Sequence, residues 1–247
     1  MSVIPYLANL ANYSKNSYFC GEKKKGKMQI RRFVFNHMGE NTYLASDAKG
    51  NAVIVDPGCN SPQEEDRLLA AINEEKLTVR GMLVTHGHFD HICGARSLQD
   101  RFGAAIYMGE NDLPILQYGG EMGAVYGFEA PDTGFSVTPV RDGGILEFGD
   151  MRFRVIETPG HSPGGVCYLE ENEKELFSGD TLFRGTIGRT DLPLASYDKL
   201  IVSIMDKLMG LDGDVRILPG HGGDSTIAQE RTGNPFLEPW GEAEDVD

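Results

Sequence analysis

The sequence predicts an α+β protein in which two β-sheets are covered by helices, and three observations predict it. Short apolar runs bounded by glycine and proline recur along the chain, the mark of strands. Their order is strands, helix, strand, helix, then strands, helix, strand, without the alternation a doubly wound parallel sheet needs. Hydrophobic residues make up 40% of the 247 residues, enough for a packed core.

Residues 1–27 are polar and mixed and end in GEKKKGK, so they read as a disordered extension ahead of a single domain at 28–240, with Met28 as an alternative start. They show no apolar segment followed by a cleavage site, so no secretory leader is expected. Three strands follow in MQIRRFVFN, NTYLAS and NAVIVD, the last two joined by the turn Asp47-Ala48-Lys49-Gly50. Asp56-Pro57-Gly58 stops the third. A helix over 61–76 starts with Ser61 as N-cap, Pro62 in its first turn and Glu64 placed for a capping box.

RGMLVTH is a buried strand, ICGARSLQDRFG a helix ending at Gly103, and AAIYM another strand. Residues 109–144 are glycine-rich and carry Tyr118, Tyr126, Phe128 and Phe135. They read as a helix near 110–117 and then a long loop, either a surface excursion packed by its own aromatics or a wall over a site. ILEFG, MRFRVIETPG, GGVCYLE and KELFSGD read as strands with tight turns. SYDKLIVSIMDKLMGL is an amphipathic helix capped by Ser196, with Gly210 near its end. DVRILPGH is one more strand, TIAQERTG a turn or two of helix, and residues 241–247 an acidic tail.

The net charge of -14 repels polyanions, so nucleic acid is not an expected partner. No run of about 18 apolar residues is present, so no membrane span is expected. The cysteines Cys20, Cys59, Cys93 and Cys167 are widely spaced, which suggests reduced thiols and a cytoplasmic protein. No oligomer interface is legible.

The chemistry concentrates in THGHFDH at 85–91, which holds His86, His88 and His91 with Asp90 between the last two. Residues two apart on an extended loop point the same way, so His86 and His88 suit one ion. Asp90 and His91, at the turn into a helix, point towards a second. Imidazole nitrogen and carboxylate oxygen suit Zn²⁺, Fe²⁺ or Mn²⁺, and the lack of a nearby thiolate disfavours a structural zinc site. His161 in TPGHSPGG, His221 in LPGHGG and Asp180 in FSGDTLF each follow a predicted strand beside glycine or proline. Of the six histidines, five are then used, and His37 is left as surface or structural. His86, His88 and His161 make one set, Asp90, His91 and His221 the other, with Asp180 bridging. Two divalent ions so held, zinc first, lower the pKa of bound water and polarise a carbonyl, which is hydrolysis without a protein nucleophile.

In this cluster, the later His161, Asp180 and His221, and VDPG at 55–58, the chain resembles the metallo-β-lactamase superfamily, from about Met28 to Trp240. The resemblance implies an αβ/βα four-layer sandwich, two mixed sheets packed face to face with helices outside. It implies the same ligand set, with Asp56 ordering the metal loop. SGDTLFRGTIGRTDLP and PGHGGDSTIAQERTGNPFL are similar to short prokaryotic forms of glyoxalase II, the hydroxyacylglutathione hydrolases. That implies hydrolysis of a small-molecule thioester such as S-lactoylglutathione, with Asp90 and Asp180 as catalytic carboxylates. Long forms add a helical domain and carry a Lys and a Tyr that bind glutathione; here the chain stops soon after Pro235, and GRTD stands in that loop. Arg184, Arg189 and Arg231 are the candidates for an anionic substrate tail.

The rival on the same scaffold is a persulfide dioxygenase with one iron held by two His and an Asp. A secreted β-lactamase is disfavoured by the missing export signal, and an RNA-processing nuclease by the acidic charge. A non-catalytic module would have lost ligands, and none is missing.

Overall fold

A computed structural model describes residues 27–128 and 131–237. The extension expected over 1–27 falls outside the described residues except for its last position, and the acidic tail at 241–247 falls outside them entirely. Strands β1 (Gln29–Phe35), β2 (Glu40–Ser46), β3 (Asn51–Val55), β4 (Thr78–Leu83), β5 (Ala105–Gly109) and β6 (Val137–Val140) form one sheet in sequence order. The first three pair antiparallel, and β3 to β6 pair parallel. Then come β7 (Ile145–Phe148), β8 (Met151–Glu157), β9 (Val166–Glu170) and β10 (Glu175–Gly179), a small hairpin β11 (Leu182–Phe183) and β12 (Thr186–Ile187), and β13 (Arg216–Pro219) and β14 (Ser225–Thr226). The second sheet has the order β14-β13-β10-β9-β8-β7, antiparallel except for the β10–β13 pair.

The helices are α1 (Pro62–Glu74), α2 (Phe89–Ile92), α3 (Ala95–Phe102), α4 (Leu113–Val125), α5 (Tyr197–Ser203) and α6 (Ile227–Gly233). The side-chain period of two along the strands sorts them into layers. Tyr43, Ala45, Val53, Val55, Phe153, Val155, Tyr168 and Phe177 point between the sheets. Their neighbours Leu44, Ala52 and Ile54 point outwards, under Leu68, Ile72 and Leu98 of α1 and α3. Ile156, Leu169, Leu176 and Ile217 do the same on the other side, under Leu200, Leu208 and Ile227. The result is the four-layer αβ/βα sandwich, α+β in class. Among the described residues no helix is long and apolar enough to cross a membrane.

Local signals explain most boundaries. The Ser61 side chain accepts from the Glu64 N–H, but the reciprocal half of the capping box is absent: Glu64 takes the N–H groups of Asn36 and Asn60 at 2.7 Å. Ser196 caps α5 as expected. Beyond Ser203 the helix widens into a π segment, Ile204–Leu208, closed by Met209 N–H on the Ile204 carbonyl. The helix expected over 92–103 is α3, which starts at Ala95 and ends before Gly103 as expected, and a separate short turn, α2, precedes it and carries Asp90 and His91. The largest difference lies at 109–144. The helix runs on to Val125, past three glycines, and Val137–Val140 is an edge strand. That strand contains Pro139, which an edge strand tolerates because one of its sides is free of ladder bonds. The loop therefore shrinks to about 126–136.

Candidate metal centre

Strands β3 and β4 run parallel, as do β10 and β13. Strand β8 is antiparallel to β9, which is antiparallel to β10, so β8 and β10 run the same way. Asp56, His86, His161, Asp180 and His221 all follow the C-terminal ends of these strands. The two sheets are tied at that edge by Val166 N–H on the Thr85 carbonyl (2.8 Å) and Asn41 N–H on the Gly220 carbonyl (2.7 Å). Chain direction thus gathers candidates from more than 130 sequence positions into one place. The glycine before His221 is a close-approach position: a Cβ on Gly220 would run into Asp180 and the His91 ring.

All seven predicted ligands meet. Ligand atoms of His86, His88 and His161 lie within 4.8 Å of one another, as do those of Asp90, His91 and His221, and those of His86, His91 and Asp180. His88 Nδ1 is 2.9 Å from His161 Nε2. Two nitrogens on one tetrahedral ion at about 2.0–2.1 Å would stand roughly 3.3 Å apart, so the spacing is close to that of a shared metal. Asp180 lies 3.4 Å from His91 Nε2 through Oδ1, and 3.6 Å from both His161 and His221 through Oδ2. It touches members of both sets.

Hydrogen-bond partners fix which ring nitrogen faces inwards. His161 Nδ1 meets the Arg189 carbonyl (2.8 Å), His221 Nδ1 the Met38 carbonyl (3.2 Å), and His91 Nδ1 the Asp56 carboxylate (3.1 Å). These oxygens only accept, so each ring donates from Nδ1, and its neutral form carries the lone pair on Nε2. The Thr85 hydroxyl donates to Asp56 (2.7 Å) and so accepts from His86 Nδ1 (3.1 Å). The Nε2 atoms of His86 and His91 and the Oδ1 of Asp180 are buried with no hydrogen-bond partner. A folded protein rarely leaves such atoms unsatisfied without a ligand. The donor set of neutral imidazoles and carboxylates fits divalent cations.

The electrostatics separate the two sets. Burial, with neighbouring histidines, holds His86 well below its usual range, and burial pushes His88 down to about 3. Both therefore stay neutral donors. Burial also opposes charge on His91 and His221, but carboxylates outweigh it and raise both: Asp90, Asp180 and Asp56 around His91, Asp180 and Asp90 around His221. Burial likewise disfavours the Asp90 carboxylate, yet His91 and His221 hold its pKa below the usual carboxylate range. Burial raises all three described thiols, Cys59 most, Cys93 to about 12 and Cys167 to about 11.

Asp56 lies under the centre, accepting from Thr85 N–H (2.7 Å), the Thr85 hydroxyl and His91. Its backbone is left-handed (φ 48), which costs a residue with a Cβ about 1–2 kcal/mol and marks a position held by its surroundings. Three supporting residues carried no sequence signal. Asn41 holds the His221 loop through the Pro219 and Gly222 carbonyls. Glu40 is buried beside Asp56 and His91, and burial raises its pKa well above the usual value. Asp112 is fully buried against Gly87, Ser162 and Gly164.

The arginines differ. The Arg189 carbonyl meets His161, and its guanidinium is aimed by Asp191 (2.8 and 2.9 Å) and the Tyr126 hydroxyl (3.3 Å). Arg184 bonds the Asp224 carbonyl. Arg231 is occupied by the Met209 and Leu211 carbonyls after the π segment. His37 caps an aromatic group: its ring lies 4.3 Å from Phe128, and Phe128 lies 4.7 Å from Phe89. The start of the loop after α4 is thus packed against His37 and Phe89 from other segments, not by its own aromatics, and its Tyr126 reaches Arg189.

Residues 37–221 match the family model of the metallo-beta-lactamase superfamily. The chain is 38% identical over 216 residues to "Hydroxyacylglutathione hydrolase GloC" of Haemophilus influenzae, covering 85% of this chain and 98% of that one. Among solved structures it resembles BLEG-1 B3 metallo-beta-lactamase, with TM-score 0.79 and 32% identity over 85% of this chain and all of that one. It also resembles a di-iron-bound form of TTHA1623, with TM-score 0.75 and 34% identity over 83% of this chain and 99% of that one.

Proposed function

The chain belongs to the metallo-beta-lactamase superfamily, and we propose that within it the protein is a two-metal thioester hydrolase of the glyoxalase II type. One observation carries the reading: Asp180 lies 3.4–3.6 Å from nitrogens of His91, His161 and His221, so one carboxylate serves both ligand sets. We assign His86, His88 and His161 to one ion, Asp90, His91 and His221 to the other, and Asp180 to both. Zinc is the proposed metal; iron suits the same donors, and TTHA1623 is a di-iron-bound relative. Two such ions supply a nucleophilic water at neutral pH and polarise a carbonyl.

The chain's own groups do the rest. The carbonyls of Arg189 and Met38 and the Asp56 carboxylate keep the ring protons on the outer nitrogens. Asp90 and Asp180 would orient the attacking water, and one of them would take its single proton and pass it to the departing thiolate sulfur. The half-buried Cys93 and the buried Cys167, with raised pKa values, are poor nucleophiles, which fits direct attack by water. Arg189, aimed by Asp191 and Tyr126, faces an anionic end of the thiol part of the substrate, with exposed Arg184 as a second cation. Arg231 is left out, because two carbonyls already occupy it.

Support for the thioester comes from the relative named hydroxyacylglutathione hydrolase. The test is loss of thioester absorbance from S-lactoylglutathione, with zinc quantified in the same sample and a chromogenic β-lactam run alongside. Rapid thioester loss with a slow β-lactam reaction is the expected result. Turnover of the β-lactam alone would overturn the thioester assignment.

A further inference from the structure

Asp112 belongs to neither ligand set, yet it joins two of the ligand loops. It directly precedes α4 and is fully buried. Its Oδ2 accepts from Gly87 N–H at 2.8 Å and from the Ser162 hydroxyl at 2.7 Å, and its Oδ1 accepts from Gly164 N–H. Gly87 stands between His86 and His88, and Ser162 follows His161. One carboxylate from a third chain segment therefore holds together the loops that carry His86, His88 and His161. It accepts no hydrogen bond from Asp90, His91 or His221. The fit is close: a Cβ on Gly164 would collide with the Asp112 backbone, and one on Gly87 would come within 3.1 Å of its carbonyl. On the other side, Asp56 bonds His91 directly.

We propose that Asp112 is a positioning residue that sets the affinity of the three-histidine metal site selectively. This rests on the two-metal reading given above. Ligands on two loops bind one ion tightly only if the loops are held at a fixed separation before the ion arrives. Removing a group that holds ligands in this way typically lowers metal affinity by about tenfold to a hundredfold. Asp112→Asn keeps the shape but puts an NH₂ group either against the Gly164 N–H or against both the Gly87 N–H and the Ser162 hydroxyl, so at least one of the three bonds is lost and the hold on the loops is loosened.

The test is a zinc titration against a chelator, resolving two affinities in the full-length protein. Asp112→Asn is expected to weaken one zinc by about tenfold to a hundredfold and to leave the other within about threefold. Combined with His161→Ala, which already removes the three-histidine site, it should change the remaining zinc no further. Combined with His221→Ala, it should leave no tight zinc. Two zinc ions at wild-type affinities, or equal weakening of both, would overturn the proposal, because a general structural role has no reason to choose one site. If Asp112→Asn does not fold, Ser162→Ala decides, and an unchanged three-histidine site then overturns it. Wild-type protein binding a single zinc would instead refute the two-metal reading, and Asp112 would be judged by whether that zinc weakens.

Discussion

Replacing Asp56 by Asn should damage the centre without touching a ligand. The carboxylate accepts three buried hydrogen bonds: Thr85 N–H on Oδ1, and the Thr85 hydroxyl and His91 Nδ1 on Oδ2. Asn has one acceptor oxygen, so it must choose. In one orientation its NH₂ faces His91 Nδ1–H. The ring then moves its proton to Nε2, the atom that must carry a lone pair for the metal. Restoring the binding tautomer costs about one hydrogen bond to a charged group, about 1.5–3 kcal/mol. At 1.4 kcal/mol per decade that is about a ten- to hundredfold loss of affinity at the His91 site. In the other orientation the NH₂ faces Thr85 N–H, and a buried donor left unpaired lowers stability by about 1–3 kcal/mol. Chelator-competition titration reads the first outcome and thermal unfolding of the metal-free protein reads the second. A variant matching wild type in both would refute the assignment of Asp56 as the group that fixes the His91 tautomer.

Other substitutions separate the ligand sets from their surroundings. His161→Ala and His221→Ala are each expected to remove one bound metal, and Asp180→Ala to weaken both; elemental analysis showing full loading of the single-histidine variants would contradict the assignment. Burial holds His88 at about 3 when folded, against 6.5 for the free side chain, so the unfolded chain takes up the proton first as pH falls. The stability tied to neutral His88 is therefore present above about pH 6.5 and lost as pH falls towards 3. In chelator, wild type should lose urea resistance relative to His88→Gln across that window, and a constant gap would contradict the shift. Arg189→Ala should raise KM for S-lactoylglutathione at unchanged zinc content. Arg231→Ala should instead lower stability by about 1–2 kcal/mol through the Met209 and Leu211 carbonyls, with KM unchanged. A KM effect at Arg231 and none at Arg189 would reverse that division.

The cluster of candidate ligands was legible in the sequence because its chemistry is scarce. Four of the six histidines, His86, His88, His161 and His221, stand beside glycine near strand ends, and a fifth, His91, follows within the same short cluster. The layers were less legible. Residues such as Tyr43 and Leu44 are both buried, on opposite faces of β2, so the run looks continuously apolar and hides which sheet or helix each face meets. Strand β6 was hidden by Pro139, and α4 by the glycines at 119, 120 and 123, each unfavourable until tertiary packing decides. Asp112 lies 25 residues from Gly87 and 52 from Gly164, and nothing local marks an aspartate whose partners are that distant. The same holds for Tyr126 against Arg189.

In the proposed two-metal centre the shared Asp180 carboxylate lies between two ions. Anomalous scattering from crystals grown with zinc, recorded at the zinc edge, tests it most directly. Two peaks about 3.5–4 Å apart are expected, one among His86, His88 and His161 and one among Asp90, His91 and His221, with Asp180 between them. A single peak at full zinc occupancy would contradict it, and so would a second ion away from Asp180.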